Sequence, residues 1–167
     1  TYFSVNEKGG LEPASEVISF SGKGIDSERQ KQSHIHCVQF TPDGKYLFAD
    51  DLGTDKIHKF DVNETSDKYL SVGTPAAFNI KAGSGPRHLK FHPNNKYAYL
   101  ITELSGDVIA FNYNDGNLSE IQTIKADTLN AKGSGDIGIT PNGKFLYASN
   151  RLKGDGLAIF SINEADG

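Results

Sequence analysis

Apolar residues in this chain come in short runs, separated by clusters of Gly, Pro, Asn and Asp. The stretch 36–40 places Val38 and Phe40 on one face, the two-residue period of a half-buried strand. Pro42-Asp43-Gly44-Lys45 follows, where proline presets φ and Asp-Gly supplies the bend, and an aromatic strand then begins at Tyr46. This order returns at 87–99 and at 135–147, so that Pro42, Pro93 and Pro141 stand 51 and 48 residues apart. A third strand is predicted at 57–62, at 108–113 and at 157–162. Each ends at an Asn (Asn63, Asn114, Asn163), and Asn6 holds the same phase behind the strand at 2–6. Candidates for an outermost strand are weaker: 17–20, 77–80 and 121–124. Turns are expected at 7–10, 51–55 and 63–68, and an unpatterned loop at 22–32.

Four short antiparallel strands recurring about every 50 residues is the pattern of propeller blades. The expected fold is therefore all-β, a β-propeller with about three blades of four antiparallel strands, in one domain over 1–167 with approximate units 6–62, 63–113 and 114–163. No helical period competes. Closed propellers hold roughly four to eight blades, so three would leave two apolar faces bare. The remaining blades are expected from the same polypeptide or from a second chain.

Composition narrows the function classes. Net charge is −4, which gives nucleic-acid binding no support, and no apolar run is long enough for a membrane-spanning helix. One Cys among 167 residues cannot form an internal disulfide. That fits a reducing compartment, so the cytoplasm is expected, with the periplasm as the alternative. The chain begins at Thr1 and has no Met, as a piece of a longer protein would.

The repeat allows positions to be compared within the chain. Six residues before each turn proline lie His36, Arg87 and Gly135; ten after it lie Leu52, Glu103 and Arg151. Scaffold positions in a repeat keep one residue type, whereas these differ and carry charge. Antiparallel pairing brings the two sets to one rim, so His36, Arg87, Glu103 and Arg151 are expected to gather at one mouth of a central channel. Two arginines offer bidentate sites for carboxylate or phosphate, and a carboxylate or imidazole can take a proton from water. Scattered surface ion pairs are the competing reading.

Other features carry less. Gly83-Ser84-Gly85-Pro86-Arg87-His88 can cradle an anion with backbone N–H groups, or be a plain loop. His34 and His36 share a strand face, but a third zinc ligand at proper spacing is not evident, and one catalytic and one structural His is preferred. Asp50, Asp51 and Asp55 lack the ligand order of a calcium loop and suit turn-stabilising hydrogen bonds. Cys37 reads as a small buried hydrophobe. Tyr46, Tyr97, Phe145 and Tyr147 read as blade-packing aromatics.

His34-x-His36 before Phe-x-Pro-Asp-Gly-Lys, then Asp51-Leu52-Gly53-Thr54-Asp55, Gly83-Ser84-Gly85-Pro86-Arg87-His88-Leu89-x-Phe91-His92-Pro93, Glu103-Leu104 and Ser149-Asn150-Arg151 together resemble the seven-bladed β-propeller lactonase family. That family includes bacterial 6-phosphogluconolactonases and fungal 3-carboxy-cis,cis-muconate lactonising enzymes. The resemblance implies a channel site of His36, Arg87, Glu103 and Arg151. Glu103 or His36 would be the general base, and Arg87 and Arg151 would grip phosphate or carboxylate, with His88 and His34 as further substrate contacts. No cofactor and no catalytic metal are implied. The expected activity is hydrolysis of a sugar lactone, 6-phosphogluconolactone foremost. Carboxymuconate cycloisomerisation and a non-catalytic ligand- or partner-binding propeller are the alternatives. The segment Leu152-Lys153-Gly154-Asp155-Gly156 after Arg151 departs from the shorter turn of many relatives.

Overall fold

The computed structural model describes residues 1–65 and 68–167. Its strands are β1 (Tyr2–Val5), β2 (Leu11–Glu16), β3 (Ile35–Phe40), β4 (Tyr46–Asp51), β5 (Lys56–Val62), β6 (Leu70–Asn79), β7 (Pro86–Phe91), β8 (Tyr97–Thr102), β9 (Asp107–Asn114), β10 (Asn117–Lys125), β11 (Ser134–Ile139), β12 (Phe145–Asn150) and β13 (Gly156–Ser161). A 3₁₀ turn, Leu152–Gly154, interrupts the connection from β12 to β13. The turn expected over 63–68 includes residues 66 and 67, which lie outside the described residues.

The strands form four antiparallel sheets: β1-β2, β3-β4-β5-β6, β7-β8-β9-β10 and β11-β12-β13. Two sheets are whole blades and the other two are partial. The innermost strands β3, β7 and β11 contact one another in succession, so the sheets fan out from a common hub. Core clusters lie between blades. Phe48, Ile57, Leu89, Leu100 and Phe111 fill one, and Tyr99, Ile101, Val108, Ile137 and Leu146 fill the next.

The turn proline sets the register as its chemistry demands. Behind each one a residue with positive φ closes the bend: Gly44 at 72°, Asn95 at 61° and Gly143 at 71°. Gly and Asn reach that region at the least steric cost. In two of the turns a Thr hydroxyl ties the bend, Thr41 Oγ1 donating to Asp43 at 2.6 Å and Thr140 Oγ1 to Asn142 at 2.7 Å. In the middle turn buried His92 replaces it: Nδ1 accepts from the Asn94 amide at 3.1 Å and Nε2–H donates to the Gly143 carbonyl at 2.9 Å, linking neighbouring blades.

One expected strand is absent. Residues 17–20 carry strand-forming side chains but no pairing, and the return strand is β2. The Asn6–Gly10 turn explains this: Asn6 N donates to Gly10 O at 2.8 Å, so pairing with β1 must begin at Leu11. Pro13 is tolerated there because β2 is an edge strand. Ile18 and Phe20 serve as packing instead, against Leu47, Ala49 and Phe60.

Candidate functional site

At the hub each inner strand carries a β-bulge at the same place. Pairing of β3 with β4 slips between Ile35 and Cys37, that of β7 with β8 between Pro86 and His88, and that of β11 with β12 between Ser134 and Ile137. The residues left out of the ladder are His36, Arg87 and the Gly135–Asp136 pair. A bulge re-aims the side chain it carries. Here it turns a row of strand residues toward the rim, where Glu103 and Arg151 stand one residue past the ends of β8 and β12.

Glu103 is the centre. It is 3 % exposed, with Oε2 accepting from Arg87 Nε at 2.8 Å and from Arg151 Nη2 at 3.2 Å. His36 Nε2 lies 3.9 Å from the same oxygen. Oε1 receives Arg29 Nη1 at 2.5 Å. The four residues expected to meet do so, and a fifth, Arg29, joins them from the loop between β2 and β3. Burial pushes the Glu103 carboxyl up, but the hydrogen bonds of Arg29 and Arg87 and the charges of Arg29 and His36 outweigh it and hold the group below the usual carboxylate range.

His36 Nδ1 lies 3.1 Å from the His34 carbonyl oxygen. A carbonyl only accepts, so Nδ1 carries a proton, and Nε2 is the ring nitrogen turned toward Glu103. Arg87 Nη1 donates to the Gly135 carbonyl at 2.8 Å and to His88 Nε2 at 2.9 Å. His88 Nδ1–H therefore donates to Asp136 Oδ1 at 2.7 Å. Burial raises the Asp136 carboxyl, but this bond and the Ile137 amide lower it further. His88 thus joins the set through Arg87. His34 enters through its backbone: its amide donates to Asp51 at 2.7 Å and its carbonyl accepts from Leu52 N at 3.0 Å.

The remaining candidates turn out to be supports. Asp51 accepts from Ser33 Oγ, His34 N, Gly53 N and Thr54 Oγ1. Burial pushes its carboxyl up, yet the bonds from His58, Thr54, Ser33 and His34 hold it far below the usual range. Asp55 accepts from Gly83 N and Gly85 N, both at 2.8 Å. The Gly-rich turn does cradle an anion with its amides, and that anion is a carboxylate of the protein itself. The Cys37 thiol is pushed up by burial and by Asp50, which suits packing better than nucleophilic attack. Among the described residues no three His, Cys, Asp or Glu side chains cluster as metal ligands would, and no helix is long and apolar enough to cross a membrane.

Three guanidinium groups face the Glu103 carboxylate, and with Asp136 counted through His88 the hub still holds an excess of positive charge in a chain whose net charge is −4. A positive excess of this kind is complementary to an anion.

The model of a family described as "Lactonase, 7-bladed beta-propeller" matches residues 1–167. A 6-phosphogluconolactonase of Formosa agariphila is 44% identical over 170 residues, covering 100% of this chain and 48% of that protein. A solved structure from Bacteroides fragilis, 59% identical, superposes with a TM-score of 0.96 over 99% of this chain and 48% of its own. The periplasmic gluconolactonase of Pseudomonas aeruginosa superposes with a TM-score of 0.90 at 33% identity, over 99% of this chain and 47% of its own. The chain spans about half the length of the curated relatives it matches.

Proposed function

We propose, for a chain that belongs to the seven-bladed β-propeller lactonase family, that the whole protein hydrolyses a sugar lactone, with 6-phosphogluconolactone as its substrate. The carrying observation is the hub itself: an imidazole with its Nε2 turned toward the reacting site, beside guanidinium groups in excess over one buried carboxylate. Relatives named 6-phosphogluconolactonase support the substrate.

His36 Nε2 takes a proton from water as the water oxygen bonds to the lactone carbonyl carbon. The carbonyl oxygen becomes an oxyanion, which the guanidinium groups of Arg87 and Arg151 stabilise. Collapse breaks the ring C–O bond, and the imidazolium returns its proton to the departing alkoxide, giving the hydroxy acid. Glu103 is better suited to anchoring than to proton abstraction, because its arginine partners hold it ionised and stabilised. From 3.9 Å it also steadies the imidazolium that forms.

The remaining blades of the ring, from the same polypeptide or a second chain, are proposed to cover the apolar faces left open beside β3 and beside β13. There Val38 is 61 %, Phe40 45 %, Leu157 65 % and Ile159 59 % exposed. On that reading the isolated 167-residue chain is inactive and self-associates, which size-exclusion chromatography would reveal. The cytoplasm is the compartment proposed, since a single Cys fits a reducing milieu.

The test is turnover of 6-phosphogluconolactone by the full-length protein. Replacing His36 by Asn should lower kcat by about 10²–10⁴-fold, and Arg87→Ala should cut kcat/KM strongly. Undiminished rates in both variants would leave only a ligand-binding propeller.

A further inference from the structure

Arg29 has no counterpart in the repeat, and the loop carrying it is built to hold it in place. Gln30 is 1 % exposed; its Nε2 donates to the Leu52 carbonyl at 2.8 Å and its Oε1 accepts from Asp26 N at 2.9 Å. Asp26 Oδ1 in turn accepts from the amides of Glu28 and Arg29, each at 3.0 Å. The backbone stem is thereby fixed, while the Arg29 side chain stays 46% exposed and reaches inward to a carboxylate only 4% exposed.

The three arginines are held differently. Arg87 is tied to Gly135 O and His88 as well as to Glu103. Arg151 is tied to Gly133 O at 2.9 Å and Ser134 O at 3.3 Å as well as to Glu103. Both would keep their places if Glu103 let go. Among the described residues Arg29 has Glu103 Oε1 as its sole side-chain partner, and a guanidinium carries five N–H donors. It is the member of the set with donors to spare and nothing else to hold its head. The excess of positive charge at the hub also suits a phosphate monoester, which carries about −1.5 to −2 near neutrality.

We propose that Arg29 is the phosphate-binding residue of this site, and that the substrate's phosphate competes with Glu103 for its guanidinium. The proposal rests on the lactonase reading for its substrate, though not for anion binding as such. A phosphorylated substrate both gains a bidentate partner and frees the Oε1 edge of Glu103; an unphosphorylated one leaves Glu103 clamped. Among the groups lowering the Glu103 carboxyl against the effect of burial, Arg29 stands first, so its departure lets that carboxyl rise.

The test compares binding of 6-phosphogluconate and gluconate to full-length wild type, Arg29→Gln and Arg29→Lys by calorimetry, with turnover of both lactones as a second arm. Wild type should bind the phosphorylated ligand at least about tenfold more tightly, the worth of one charged hydrogen-bond pair. Arg29→Gln should abolish that preference and Arg29→Lys restore part of it. A preference that survives in both variants, or is missing from wild type, overturns the proposal. Absence of turnover in wild type would sink the lactonase reading and leave the binding result to judge Arg29 by itself.

Discussion

The middle blade and the outer partial sheets carry the same repeat and meet very different surroundings. Phe48, Tyr99 and Tyr147 hold equivalent positions, yet their exposures are 0%, 3% and 36%. Every residue of β8 is buried, whereas β12 alternates between buried and open. Strand chemistry is therefore shared, and burial is supplied by neighbours: a blade with a sheet on each side becomes core, and the same blade with one bare side does not. The hub follows the same logic. Glu103 belongs to the middle blade, and besides Arg87 of that blade its partners come from the blade before it, the partial blade after it and a loop.

The largest effect separates Phe48 from Tyr147. In the 167-residue chain Phe48→Ala should cost about 3–5 kcal/mol, the range for a fully buried aromatic. Tyr147→Ala should cost no more than about 1 kcal/mol at its half-open position. Chemical denaturation of both variants measures the gap. In the full-length protein the gap should narrow as a following blade covers Tyr147. A gap of the same size in both lengths would break the view that neighbours set the burial.

How much of this could be read from residues alone follows the same division. Repeating features were legible: the Pro-Asp/Asn turns, the aromatic strands, and the hub positions His36, Arg87, Glu103 and Arg151, which stood out because equivalent positions had diverged. Features outside the repeat were not. Arg29 sits in a loop with no second copy for comparison, and its only local sign was the Asp26–Gln30 segment able to fold on itself. The strand-forming residues at 17–20 misled because a hairpin turn, not side-chain preference, determines where β2 begins. The Gly83 and Gly85 amides had an unforeseeable partner, since Asp55 lies in another blade.

A second contrast is chemical. Where the middle blade has Ile101, fully buried, the preceding blade has Asp50, equally buried. The Leu89 amide and the Cys37 thiol act on Asp50, but among the described residues neither of its oxygens has a hydrogen bond of ordinary geometry. Burial therefore pushes this carboxyl well above its ordinary value. With the folded pKa above the unfolded one, unfolding at a pH between the two releases a proton. Stability is greatest below the ordinary carboxylate range and falls as pH rises toward the folded value. Asp50→Val should raise stability near neutrality by about 1–3 kcal/mol, the cost of an unsatisfied buried polar group. The gain should shrink toward about pH 4. Thermal melts of both proteins across that span measure it, and a gain independent of pH would mean that Asp50 is not a neutral acid in the fold.

The smallest effect lies within one strand. Tyr97 and Tyr99 both belong to β8 and both are buried. The Tyr97 hydroxyl donates to the Ala165 carbonyl at 3.2 Å, reaching across to the turn after β13. The Tyr99 hydroxyl has no hydrogen-bond partner among the described residues, and burial pushes it up to about 12. Removing each oxygen leaves the ring in place, so the two changes differ only in the hydrogen bond. Tyr97→Phe should destabilise by about 0.5–1.5 kcal/mol, and Tyr99→Phe should be neutral or stabilising by up to about 1 kcal/mol. Urea midpoints of the two variants carry opposite signs on this reasoning. Destabilisation by Tyr99→Phe would mean that its hydroxyl has a partner in solution, and that the middle blade is less dry than its packing implies.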